Sequence, residues 1–142
     1  MRPYEILEHP AELRIRVYGR TIEKLFENAA LAMAQISSHN TKLRKINAND
    51  AKQEKIKVES IDINSLLVDF LSEILAKSQI NKAVYLVSSI KYGKKAKLEA
   101  ELISFPIERF DEDIKAVTYE DLDIKKVDPP DGGWQTDLVF DI

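Results

Sequence analysis

Leu13, Ile15 and Val17 alternate with Arg14, Arg16 and Tyr18, the two-residue period of a strand with one face in a core and one in water. After Gly19 the period changes. Ile22, Leu25, Phe26, Ala29, Ala30, Met33 and Ile36 recur at three- and four-residue spacing, which predicts an amphipathic helix over 22–36. Thr21 stands where an N-cap belongs, its hydroxyl placed to accept from a free amide of the first turn. A short strand over 4–7 precedes this unit, and His9-Pro10 ends it because proline gives no amide to a ladder.

From 37 to 51 the sequence is polar and aperiodic, which predicts a loop. Alternation returns over 52–61 through Ile56 and Val58. A second helix is expected from an N-cap at Asp62 to the neighbourhood of Ser78, with Ile63, Leu66, Leu67, Phe70, Leu71, Ile74 and Leu75 on its buried stripe. Strands over 83–92 and 97–105 read as a hairpin, its turn Gly93-Lys94-Lys95 assigned to glycine's tolerance of positive φ. A β-branched run over 114–119 follows, then 122–127 and 134–142 on either side of Asp128-Pro129-Pro130-Asp131-Gly132-Gly133. In the last strand Trp134, Thr136, Leu138, Phe140 and Ile142 share one face, and Gln135, Asp137, Val139 and Asp141 the other.

Two helices among mostly antiparallel strands predict an α+β, single-domain sandwich over 1–142. Both helices would pack on one face of a mainly antiparallel sheet of about six to seven strands, burying Leu25, Phe26, Met33, Leu67, Phe70 and Ile74. A chain of 142 residues, 44% hydrophobic, buries enough surface to fold without staples. It has no cysteine, which excludes disulfides, zinc thiolates and cysteine nucleophiles. No run approaches the ~18 apolar residues of a membrane span, and the first residues lead into structure rather than a signal segment. The expectation is a cytoplasmic protein with no membrane partner. With 32% charged residues and net charge −3, no domain-wide basic field favours strong nucleic-acid binding. The four glycines form neither a P-loop nor a dinucleotide fingerprint, and no serine elbow or H-E-x-x-H occurs.

Three features invite a chemical reading. Glu12 and Asp141 lie on the polar faces of their strands, with the free carboxylate of Ile142 next in the chain. Were those strands neighbours, two or three carboxylates would converge at a sheet margin, and such hard oxygen donors suit Ca²⁺, Mg²⁺ or Mn²⁺. Each also reads as a solvated strand-end acid. His9, one of two histidines, could serve as a base or a metal ligand, or bond local backbone in its turn. The acidic stretch Glu108, Asp111, Glu112, Asp113, Glu120, Asp121 and Asp123 reads as a solvated face or as a lure for a basic partner. Lys91, Lys94, Lys95 and Lys97 decorate the hairpin tip, where lysines protect an edge.

Six blocks in order resemble one family, archease, a small protein associated with RNA ligation. They are Tyr4-Glu5-Ile6-Leu7-Glu8-His9-Pro10-Ala11-Glu12, Val17-Tyr18-Gly19-Arg20-Thr21, Leu25-Phe26-Glu27-Asn28-Ala29-Ala30-Leu31-Ala32-Met33, Leu66-Leu67-Val68-Asp69-Phe70-Leu71, Lys115-Ala116-Val117-Thr118-Tyr119 and Leu138-Val139-Phe140-Asp141-Ile142. The resemblance implies a non-catalytic activator of the manganese- and GTP-dependent tRNA-splicing RNA ligase, promoting guanylylation of the ligase histidine and repeated turnover. It implies a metal site at Glu12 and Asp141, with Ile142 adjoining and His9 and Glu120 as neighbours. The family usually has His-Thr-Ala-Asp where this chain has His9-Pro10-Ala11-Glu12, and histidine where it has Glu120. A carboxylate for an imidazole makes the site harder, favouring Ca²⁺ or Mg²⁺. A chaperone-like adaptor for a tRNA methyltransferase or other RNA-processing enzyme is the alternative the family also invites, and a metal-dependent hydrolase is a third reading.

Overall fold

The computed structural model describes residues 2–7, 12–38 and 51–142; His9, Pro10, His39 and most of the loop expected over 37–51 lie outside them. The elements are β1 (Tyr4–Leu7), β2 (Leu13–Gly19), α1 (Ile22–Ser37), β3 (Lys52–Glu59), α2 (Ile63–Asn81), β4 (Ala83–Gly93), β5 (Lys97–Pro106), β6 (Ala116–Thr118), β7 (Lys125–Lys126) and β8 (Trp134–Asp141). The α+β class holds. The strands do not form one sheet, however: β1-β2-β8-β6, with β7 also on β8, make one antiparallel sheet, and β3-β5-β4 make a second.

Both helices start where the sequence provides a cap. Thr21 Oγ1 accepts from the Lys24 amide at 3.0 Å, and Asp62 Oδ1 accepts from the Ser65 amide at 2.7 Å. Each sheet turns its apolar face to the helices. On β2 this is Ile15 and Val17; on β5 it is Leu98, Ala100 and Leu102, all buried in one core with Leu25, Phe26, Met33, Leu67, Phe70 and Ile74. The rings of Phe26 and Phe70 join the helices at a centroid distance of 5.8 Å. Helix α1 is buried beyond its predicted stripe, taking in Asn28, Ala32, Ala34 and Ser37, because it touches β2 of one sheet and β4 of the other. Its small alanines admit backbone on both sides. Asn28 uses its place in the interior, donating Nδ2–H to the Tyr18 carbonyl at 2.7 Å.

Other departures concern connections. The positive φ of the β4–β5 turn falls on Lys95 and Ala96, not on Gly93, which ends β4 in the ladder opposite Lys97. The strands expected over 114–119 and 122–127 shrink to three and two residues. Side chains of α2 hold the chain between and around them: Gln79 Nε2 donates to the Ile114 carbonyl at 2.7 Å, and Asn64 Oδ1 accepts from the Ile124 amide at 2.9 Å. Backbone groups satisfied in this way leave the ladder. On the solvent side of the second sheet, Lys55 with Glu101, Lys57 with Glu99 and Glu59 with Lys97 form ion pairs between directly opposed residues, which favours this strand register over a slipped one.

Candidate functional site

The solvent face of the first sheet is where the charged residues of β2 and β8 meet. Antiparallel pairing sets Leu13 opposite Phe140, Arg14 opposite Val139, Arg16 opposite Asp137 and Tyr18 opposite Gln135. The next positions in that register are Glu12 and Asp141. Beyond β8, the third strand β6 sets Ala116 opposite Asp141, Val117 opposite Phe140 and Thr118 opposite Val139. The strand that Glu12 leads into and the strand that ends on Asp141 are therefore neighbours.

Successive rows pair an arginine or a phenol with an acid. Arg16 forks onto Asp137, Nε to Oδ1 at 2.7 Å and Nη2 to Oδ2 at 3.2 Å, and the hydrogen bond to Asp137 raises the Arg16 guanidinium above its ordinary range. Arg14 pairs through Nη1 with Asp121. Tyr18 donates its hydroxyl to Glu5 at 3.0 Å; burial, then that bond, pushes its phenol up. Both arginines of β2 are thus engaged by Asp121 and Asp137, one residue from the acidic stretch and one from the last strand. The row beyond, Glu12 with Asp141, brings two acids to the end of the sheet. It remains an acid-rich end, where a cation or a basic partner group would be favoured by simple electrostatics.

Glu12 is half-buried and Asp141 exposed. Ile142 is 38% exposed. Glu120 is exposed and lies past Thr118, on the side of β6 that runs away from Asp141; its amide donates to Thr118 Oγ1 at 3.3 Å. His9 is outside the described residues. Among the described residues, no group of three or more His, Asp or Glu comes together as a metal centre. The arginines Arg14 and Arg16 were visible in the sequence as polar-face neighbours of Glu12. Asp121 is named in the sequence only within the acidic stretch and Asp137 only on the polar face of the last strand; their pairing with Arg14 and Arg16 runs across more than a hundred residues and leaves no local spacing to read.

Residues 4–142 match the sequence profile of the Archease protein family (MTH1598/TM1083). The protein named archease of Pyrococcus furiosus is 36% identical over 100% of both chains. That of Methanosarcina mazei is 34% identical, covering 99% of this chain and 97% of its own. Among solved structures, protein 1598 of Methanobacterium thermoautotrophicum superposes with a TM-score of 0.69 at 26% identity over 100% of each chain. A Thermotoga maritima archease, described as a possible chaperone, shares the fold with a TM-score of 0.66 at 20% identity, covering 100% of this chain and 98% of its own.

Proposed function

The chain belongs to the archease family, and from that membership we propose that it is a protein activator of the GTP-dependent tRNA-splicing RNA ligase, promoting guanylylation of the ligase and its repeated turnover. It works as a partner of the enzyme rather than as a catalyst. The observation that carries the reading to particular residues is the β2–β8 register, which makes Glu12 and Asp141 the next positions after the Leu13–Phe140 pair. The family resemblance assigns its metal site to these two acids.

The donor set fits a hard divalent ion, Ca²⁺, Mg²⁺ or Mn²⁺, because carboxylate oxygens are the ligands such ions prefer. Two carboxylates leave most of a six- to eight-ligand shell to water or to groups of the partner, which suits an ion shared at an interface. When bound, the ion would supply positive charge next to ligase or nucleotide oxygens. The protein's own contribution is to hold the two acids on adjacent strands.

The test is guanylylation of the purified RNA ligase of the same organism, with wild type and Asp141→Ala present at substoichiometric amounts. Asp141 is exposed and its removal takes nothing from the core, so circular dichroism melts should coincide within the small range expected of a surface change. Wild type should accelerate guanylylation and the folded variant should not. Full activation by Asp141→Ala would falsify the assignment. Unchanged ligation, with an altered tRNA methyltransferase specificity or solubility in its place, would favour the adaptor reading.

A further inference from the structure

Val139 lies on the solvent side of β8 with Asp137 and Asp141, yet it is 0% exposed. In the ladder it sits between Arg14 of β2 and Thr118 of β6. The chain that follows β6 reaches back to this row. Past Thr118 it turns back on itself: the Leu122 amide bonds to the Tyr119 carbonyl at 3.2 Å, and Asp121 takes a left-handed φ of 56°, which aspartate tolerates better than most side chains. Asp121 Oδ2 then meets Arg14 Nη1. Neighbouring strands stand about 4.8 Å apart, so this ion pair bridges from β2 to the chain on the far side of β8, the strand that carries Val139.

We propose that Arg14 and Asp121 are positioning residues for Asp141, clasping the end of β8 between β2 and β6. The inference rests on the activator reading, which gives Asp141 its task. Strand β6 has only three residues and is the outer neighbour of Asp141, whose carbonyl accepts from the Lys115 amide at 2.7 Å. So short an edge strand is held weakly by its own ladder and opens locally unless something else ties it down. Gln79 and Asn64 of α2 hold the chain around it from the core side, and the Arg14–Asp121 bridge ties it on the solvent side. The bridge is 22% exposed at the arginine side chain and 48% at the aspartate, so it acts as a modest restraint on local opening rather than as a pillar of global stability.

The experiment uses the whole chain with Arg14→Gln, Asp121→Asn and the exchanged pair Arg14→Asp with Asp121→Arg. Amide exchange at Lys115 should quicken about two- to fivefold in each single variant, the range a partly exposed ion pair can carry, while the Ile15 amide is unaffected. The exchanged pair should recover the wild-type rate, which loss of packing alone would not allow. The activator concentration giving half-maximal ligase guanylylation should rise by a similar factor, with the maximum unchanged. Wild-type exchange at Lys115 in both single variants would overturn the clasp. Faster exchange with an unshifted half-activation point would overturn the positioning role. Failure of the wild type to activate the ligase would overturn the activator reading and the positioning role with it, while the clasp would still be judged by exchange.

Discussion

Gly133 rests against Gly19: at φ +83°, a Cβ on Gly133 would stand 2.6 Å from the Gly19 carbonyl oxygen and 3.1 Å from Arg20 Cα. The turn before β8 and the turn between β2 and α1 therefore meet backbone to backbone. Gly19 has a second close neighbour, since a Cβ there would come 2.2 Å from the Leu25 amide nitrogen. That absence of a side chain lets the first turn of α1 sit on the end of β2. The same strand carries Arg14 and Arg16 to the solvent face, so the site's register and the helix's seat are set by one junction.

Three alanine substitutions separate space from backbone strain. Gly132 has φ +67° but no heavy atom within 4 Å of a built Cβ, so Gly132→Ala should cost only the left-handed penalty of about 1–2 kcal/mol. Gly133→Ala adds overlap with fixed backbone, and Gly19→Ala has overlap alone; forcing atoms into filled space typically costs about 1–3 kcal/mol. Urea denaturation should rank Gly133→Ala as more damaging than Gly132→Ala. Equal midpoints would show that the two turns do not press together.

The two helix caps should respond differently to acid. The Ser65 amide, bonded to the Asp62 carboxylate, holds that group below the usual carboxylate range. A depressed folded-state pKa means the cap's contribution is present above the unfolded value of about 3.9 and is lost as pH falls through the folded value. Asp62→Ala should therefore lower the melting temperature at neutral pH, with the gap from wild type narrowing in acid below the unfolded value. Thr21 caps α1 through a hydroxyl that does not titrate in this range. Thr21→Ala should cost about 0.5–2 kcal/mol at either pH. A gap for Asp62→Ala that stays constant into acid would refute the charged cap.

Both caps were legible because a cap and its helix are neighbours in sequence. So were β2, α1, α2 and the β4–β5 hairpin, where apolar period and turn residues act within about a dozen positions. The division into two sheets was not. It depends on β2 choosing β8, as in Leu13 with Phe140, and on β5 lying between β3 and β4, choices made by tertiary packing rather than by local pattern. The shortened β6 and β7 were overestimated for a related reason: β-branched residues favour extended backbone, but Gln79 and Asn64 of α2 satisfy nearby backbone groups instead. At the candidate site, the strand-end acids could be named from alternation. The ion pairs that engage Arg14 and Arg16 required the folded topology.

That topology also distinguishes the acids from one another in a direct ion titration. Asp137 is committed to Arg16 by two hydrogen bonds, whereas Glu12 and Asp141 stand in the last row of the sheet. On the activator reading, calorimetric titration with Mn²⁺ or Ca²⁺ should find a weak site, with Kd on the order of 10⁻⁴–10⁻³ M, the range of sites with few charged ligands. Asp141→Ala and Glu12→Gln should each weaken it by about tenfold, because each removes one of very few anionic oxygens. Asp137→Asn keeps the shape of the side chain and serves as the control: it lowers the net negative charge of the same face by as much as either of the other changes, but should leave the ion's affinity within about twofold, since Asp137 stands roughly 13 Å from Asp141 along the strand, more than the Debye length of about 8 Å at physiological salt. Equal weakening by Asp137→Asn and Asp141→Ala would mean that the face attracts cations diffusely and that Glu12 and Asp141 form no site.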